Sequence, residues 1–584
     1  GTTTVTGGTT SATGAGSRGI VVNSTTPAAA NLVTVNTGVV TANGNAVVVT
    51  TGAANLVANA NGNITSTTGA GLTTTTAGGA TTVTQSAGTT ITGATDAIRV
   101  NNTVGGAINV NALGTLVANN GSGVSVNTTA ASADPINVTT NVVRSTGGAG
   151  TWGSQVRASA GTGDITINSN GAMGSAGAPG SIFGGILALT NGTANRNIMV
   201  NVNADIGTPT DLSSATQVLV SGTSTSAKTL AVNIANANIY GGPGAVQVTQ
   251  NATSLGDIRT VGTGTGTLSA TGPAGIGINA RILNAANAGN ILVDVTQNVV
   301  GTAQAINATT TGSGTVTIAA RGNVTSAGGT GITAASAGTT SVTIAAGTTT
   351  TGVQGASLQG AAGNTLVVNG VLTSTGGTPY SVLSGGPFTL TLGPVGKIVG
   401  PLAFTTGNDT FNSQGIFALP ATLDFLAGND VFNNTGTLTA FNGASAVSNL
   451  EAFNNSGLID LRNGSTRDSV TLSGNYVGSG AATLGIDVGP GTAADRLVIG
   501  GSATGSTVVL TNGINGQFVN SAVIVDAGAG SSATAFTFAS TTAGLVQYNL
   551  VFLPSSNDYV LNGAPTASAL APLKLVTGAR EVFY

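Results

Sequence analysis

The chain has 584 residues, 91 of them glycine, with no cysteine, no histidine and a formal net charge of −3. Only 6% of its residues are charged, against about a quarter in an ordinary soluble domain, while 40% are hydrophobic. That balance excludes disulfide staples, thiolate or imidazole metal sites and any Ser-His-Asp or Cys-His catalytic set, and it argues for ordered β-structure, since disordered chains are charge-rich and poor in β-branched residues.

The first residues, GTTTVTGGTTSATGAG, open in strand-like sequence with no amphipathic capping helix, which predicts an adhesive strand edge. No apolar run is long enough for a membrane-spanning helix, and no charged n-region leads an apolar h-region, so any export signal is expected to lie outside this sequence. Short alternating runs then follow one another: AINV (107–110), ITIN (165–168), LAVNI (230–234), ILVDV (291–295) and VTIA (316–319 and 342–345). Each is closed by Gly-, Asn- or Ser-rich turns, the signature of short strands. The Thr arrays TTTV (2–5), LTTTT (72–76) and GTTTTG (347–352) read first as strand residues and second as a flat hydroxyl face. Trp152, between Arg144 and Arg157, reads first as filling a core gap; exposed, it would stack on a sugar ring. The Gly-rich VGTGTGTLS (261–269) has no P-loop lysine or Rossmann acid beside it and reads as turns.

Repeats become visible in the middle of the chain. GINA (277–280), AINA (305–308) and GITA (331–334) recur, with Ile306 to Ile332 and Val316 to Val342 both spanning 26 residues. Between residues 405 and 470 the interval tightens to 21: GNDTFNSQG (407–415), GNDVFNNTG (428–436) and LEAFNNSGL (450–458). Periods in the twenties match one coil of a parallel β-helix, so the expected fold is all-β, a β-solenoid with coils of about 21–28 residues forming a single elongated rod of roughly 90–100 Å. Stacking places Phe411, Phe432 and Phe453 in an internal ladder, and Asn412, Asn433 and Asn454 either facing the other way or lining a turn, where stacked amides hydrogen-bond along the axis. Phe432→Ala is then expected to be costly and Asn434→Ser mild.

Asp409, Asp430 and Glu451 fall at the same interval. They read as solvated turn acids; a shared structural cation such as calcium is the second reading, with these three as candidate metal ligands, and carboxylate catalysis the third. The expected divisions are irregular coils over 1–404, regular coils over 405–470, a less repetitive β-region over 471–563 and a linker over 564–584.

The C-terminal series SGNYVGSGAATLGIDV (473–488), AADRLVIGGSATGSTVVL (493–510), AVIVDAGAG (522–530) and GLVQYNLVFLPSSNDYVLNG (544–563) resembles the close of the passenger of a Gram-negative type V autotransporter. The resemblance implies a right-handed parallel β-helix ending in a pertactin-like, autochaperone-type region. It also implies export across the outer membrane with the chain's own barrel as partner, and an extracellular or cell-surface location. No barrel follows Tyr584, so the expectation is a passenger apart from its translocator.

With no catalytic set and no basic stripe, neither an enzyme nor a nucleic-acid binder is expected, and no cofactor is called for. The expected function is a secreted structural or adhesive surface protein that pairs with itself, head-to-tail or laterally, or with surface glycans or host matrix. The alternative is a carbohydrate-binding or carbohydrate-cleaving β-helix using the coil acids and Trp152; a spacer carrying a separate globular domain is the third reading.

Overall fold

The computed structural model describes residues 1–24, 31–145, 151–174, 184–209, 216–223, 225–376, 381–382, 386–440 and 443–568. Among them every named element is a strand. The chain is a parallel β-solenoid of about 19 turns with 57% of the described residues in strands or bridges, forming two units, Gly1–Gly360 and Ala361–Tyr584.

In the first unit each coil is built from short strands separated by corners. Asn55–Ala60, Ile64–Ser66 and Leu72–Thr76 make one coil. Thr81–Gln85, Thr90–Gly93 and Ile98–Asn102 make the next. Leu56 pairs with Thr81, Ile64 with Ile91 and Leu72 with Ile98, all parallel. The alternation in sequence decides which side chains enter: in ILVDV, Ile291, Val293 and Val295 are buried while Leu292 and Asp294 are not. Each such burial contributes about 1.5–3 kcal/mol. In LTTTT the same alternation sends Thr74 and Thr76 inward, so the array is no flat hydroxyl face. The first strand, Thr2–Gly7, pairs with Leu32–Thr37 and is largely exposed.

Ile278, Ile306 and Ile332 stand above one another, as the spacing of the short repeats predicts. Val316 and Val342 do not. Val316 meets Thr340, and it is Ile318 that meets Val342, because the corner after Ala334 is shorter than the one after Ala308. The slip is by an even number, so the same side chains stay inside. Coil length also varies more than expected: 21 residues separate Asn412 from Asn433, but 33 separate Asn168 from Asn201. The strands keep their length, as in Ile165–Ser169 over Ile198–Val202, so the corners absorb the difference.

Buried polar side chains hold those corners. Gln85 Nε2 donates to the carbonyls of Thr89 (3.0 Å) and Thr115 (3.1 Å), and Gln250 Nε2 to those of Lys228 (2.8 Å) and Asp257 (3.3 Å). Arg196 is 2% exposed. Its guanidinium donates to the carbonyls of Ala160 and Asp134, both at 3.1 Å, and of Gly163. Burial lowers its pKa, against the charges of Asp134 and Asp164. Gly161, at φ +92°, leaves room for that guanidinium where a Cβ would strike it.

In the second unit three stacks are plain. Thr410–Ser413, Val431–Asn434, Ala452–Asn455 and Asn475–Gly478 form one. Ile416–Ala418, Thr437–Thr439, Leu458–Asp460, Thr483–Asp487 and Thr507–Asn512 form the second. Thr422–Asp424, Ala444–Ser448, Ser469–Leu472, Arg496–Ile499 and Ala522–Ala527 form the third. Parallel stacking thus continues beyond residue 470, where the 21-residue beat lengthens. It gives way to an antiparallel hairpin, Val546–Leu553 with Asp558–Pro565, whose second strand pairs antiparallel with Ala522–Ala527. Most of the expected linker, residues 569–584, lies outside the described residues.

Candidate functional site

The 21-residue coils bring three ladders together. In T-F-N-S the phenylalanine points in, the next asparagine half out and the last residue in again. Phe411, Phe432 and Phe453 share one register and are fully buried. Their ring centroids lie 4.5 and 4.8 Å apart, and Tyr476 continues the column 6.0 Å beyond Phe453. On the outer side Asn433 Nδ2 donates to Asn412 Oδ1 and Asn454 Nδ2 to Asn433 Oδ1, both at 2.8 Å.

A second amide ladder, unforeseen in the sequence, runs inside. Asn434 Nδ2 donates to Asn455 Oδ1 (2.9 Å), Asn455 Nδ2 to Tyr476 Oη (3.1 Å), and Tyr476 Oη lies 2.8 Å from Thr507 Oγ1. Asn434 is fully buried, which overturns the expectation that Asn434→Ser is mild: a shorter side chain there leaves the Asn455 carbonyl without this donor.

Two of the three acids are likewise not the solvated turn residues expected. Asp409 and Asp430 are fully buried; Glu451 is exposed. Each carboxylate accepts a main-chain N–H from the preceding coil: Asp430 Oδ1 from Asp409 and Glu451 Oε2 from Asp430, both at 2.6 Å. Asp409 accepts from Phe388 N (2.8 Å), Thr405 N (2.6 Å) and Thr405 Oγ1 (2.7 Å). Burial raises the pKa of Asp409 and of Asp430, and in Asp430 the neighbouring acids add to it. Asp430 Oδ2 is buried with no hydrogen-bond partner. These carboxylates serve the backbone, and no group of three acids among the described residues is arranged to hold a metal.

The same device recurs further on, where the sequence reading missed it. Asp495 Oδ1 accepts from Asp468 N (3.0 Å) and Oδ2 from Asp487 N (2.7 Å). Asp487 accepts from Asn463 N, Gly464 N and Asn512 Nδ2 at 2.6–2.7 Å. Burial, reinforced by the charges of Asp487 and Asp468, pushes Asp495 up to about 7. The signal was present: Asp409, Asp430, Glu451, Asp468 and Asp495 each stand two residues before the first buried side chain of a strand.

Trp152 is 8% exposed and sits over Gly184, where a Cβ would collide with the indole. It fills a gap and offers no platform to a sugar. Arg144 and Arg157 are exposed.

In comparison with known proteins, no family model matches the chain and no curated protein matches it.

Proposed function

We propose that this protein is a structural and adhesive surface protein, the passenger of a type V autotransporter, which works by binding copies of itself or a surface. The carrying observation is the outward face of the coils. Neutral amide pairs recur at outward strand positions within each unit: Asn59 to Asn36, Asn137 to Asn109 and Asn233 through Asn201 to Asn168 on one sheet, Asn307 to Asn279 on another, and Asn454 through Asn433 to Asn412 in the second unit, all at 2.8–2.9 Å. An amide row carries donors and acceptors alike and is therefore complementary to the same row on a second copy, with no charge to repel it.

The autotransporter reading draws on the C-terminal sequence series, and the parallel solenoid ending in an antiparallel hairpin is compatible with it. It places the protein outside the cell, exported with the help of its barrel. An adhesive rather than enzymatic role accords with the absence of histidine and cysteine and with acids that are committed to the backbone.

Sedimentation and electron microscopy of the purified chain at rising concentration test self-association. Fibres or layers are the expected result, whereas a monomer at every concentration that also coats no surface rejects the reading. Antibody labelling of intact producing cells tests location, with surface staining expected.

A further inference from the structure

The second unit holds a cleft of about 490 Å³. That volume lies within the roughly 300–1,000 Å³ typical of small-ligand sites. In a chain with only 15 basic residues, two arginines line it, Arg467 and Arg496. Ser469 lies between them: it follows Arg467 closely in sequence and pairs in register with Arg496 on the next coil. The loop that overhangs the cleft is closed by Gly489 N donating to Ala493 O (2.8 Å) and by a Val488–Ala494 bridge, and it contributes Pro490 and Thr492.

Neither guanidinium is held by a close ion pair. Arg467 is exposed and enters none of the ion pairs found among the described residues. Arg496 has only Asp526 at 3.9 Å, with both side chains about half exposed. The acid in the wall is occupied: Asp468 accepts from Gly443 N (2.7 Å) and Asn463 Nδ2 (2.6 Å). Asp495, next to Arg496 in sequence, is spent on the amides of Asp468 and Asp487. The cleft thus offers one guanidinium outside the ion pairs of the described residues, Arg467, one held only by a long half-exposed pair, Arg496, hydroxyls from Thr466, Ser469 and Thr492, and the apolar ring of Pro490.

We propose that this cleft binds an acidic sugar, a uronate- or sulfate-bearing unit of a polysaccharide. Arg467 and Arg496 take the acid group, which the planar guanidinium matches in a bidentate manner. The hydroxyls of Thr466, Ser469 and Thr492 meet ring hydroxyls, and Pro490 meets the apolar face of the ring. An acidic peptide would use the arginines but leave this row of hydroxyls without counterparts. The proposal gives the surface-binding reading a ligand class, yet rests on the cleft's own residues, so a chain that never self-associates leaves it intact.

Titration calorimetry on the full chain with oligogalacturonate, chondroitin sulfate fragments, neutral dextran and polyglutamate tests it. At least one acidic sugar is expected to bind about tenfold or more tightly than dextran, with affinity falling as salt rises. Which of the two binds identifies the acid group. Arg467→Gln and Arg496→Gln are each expected to weaken binding about tenfold with an unchanged thermal melt, whereas Arg157→Gln, which does not line the cleft, leaves it unaltered. The proposal is overturned if neither acidic sugar binds at millimolar concentration, if the double variant binds as the parent does, if Arg157→Gln weakens binding equally, or if polyglutamate binds as tightly as the sugars.

Discussion

A guanidinium surrounded by backbone carbonyls gives up its hydration and recovers it in fixed hydrogen bonds, and Arg196 ties residues 134, 160 and 163 together in this way. Removing it strands those acceptors, so Arg196→Ala is expected to destabilise the first unit by about 3–5 kcal/mol, measured by urea unfolding with hydrogen exchange around residues 130–165. Phe432→Ala opens a cavity between two rings at 4.5 and 4.8 Å and is expected to cost about 3–5 kcal/mol. Asn434→Ser breaks the inner ladder for about 1–3 kcal/mol, and exposed Asn429→Ser stays within about 0.5 kcal/mol. Limited proteolysis of the three variants ranks them in that order. The phenylalanine column was legible because it recurs at constant spacing. The packing of Trp152 was legible too. Arg196 was not, because at a corner the alternation that tells inside from outside breaks down; Asn434 keeps the alternation of its strand, but an amide there reads as an outward residue.

At the scale of the coil, acids that precede strands cap the main chain of their neighbours, and the cost of that service depends on pH. Asp495 is fully buried with a pKa of about 7, above the ordinary carboxylate value near 4. The folded chain therefore takes up its proton before the unfolded chain does. The stability due to this group is full below about pH 4 and is lost as pH rises towards 7, amounting to at most about 4 kcal/mol. Asp409 and Asp430 shift in the same direction, while Asp424, held low by the Leu426 N–H, works the other way under acid conditions. Thermal melts are expected to show the C-terminal coils more stable near about pH 5 than about pH 8, with Asp495→Asn flattening that dependence. Element existence was readable from runs such as ILVDV and VTIA, and the stacking of Ile278, Ile306 and Ile332 from their spacing. The displacement of Val342 onto Ile318 was not, since the length of an intervening corner alters the count without altering the pattern.

For the molecule as a whole, a net charge of −3 over 584 residues leaves little long-range repulsion. Self-association is therefore expected to change little between about 0.05 and 0.5 M salt, and Asn201→Asp, which sets a charge in the middle of an amide row, is expected to weaken it; light scattering reads both. The solenoid itself could be read from composition and period. The acidic-sugar cleft could not, because its two arginines belong to different coils and nothing in the linear order of Arg467 and Arg496 announces that they share a wall.

The unequal coils carry a practical corollary. Since spans of 21 and of 33 residues each bring an asparagine back into register with one on the neighbouring coil, a foreign epitope as long as the difference between those two spans can be spliced into a bend without disturbing the lattice beneath. Repeated at successive bends, such grafts would be displayed at the interval of neighbouring strands, about 4.8 Å, a spacing finer than most engineered scaffolds offer.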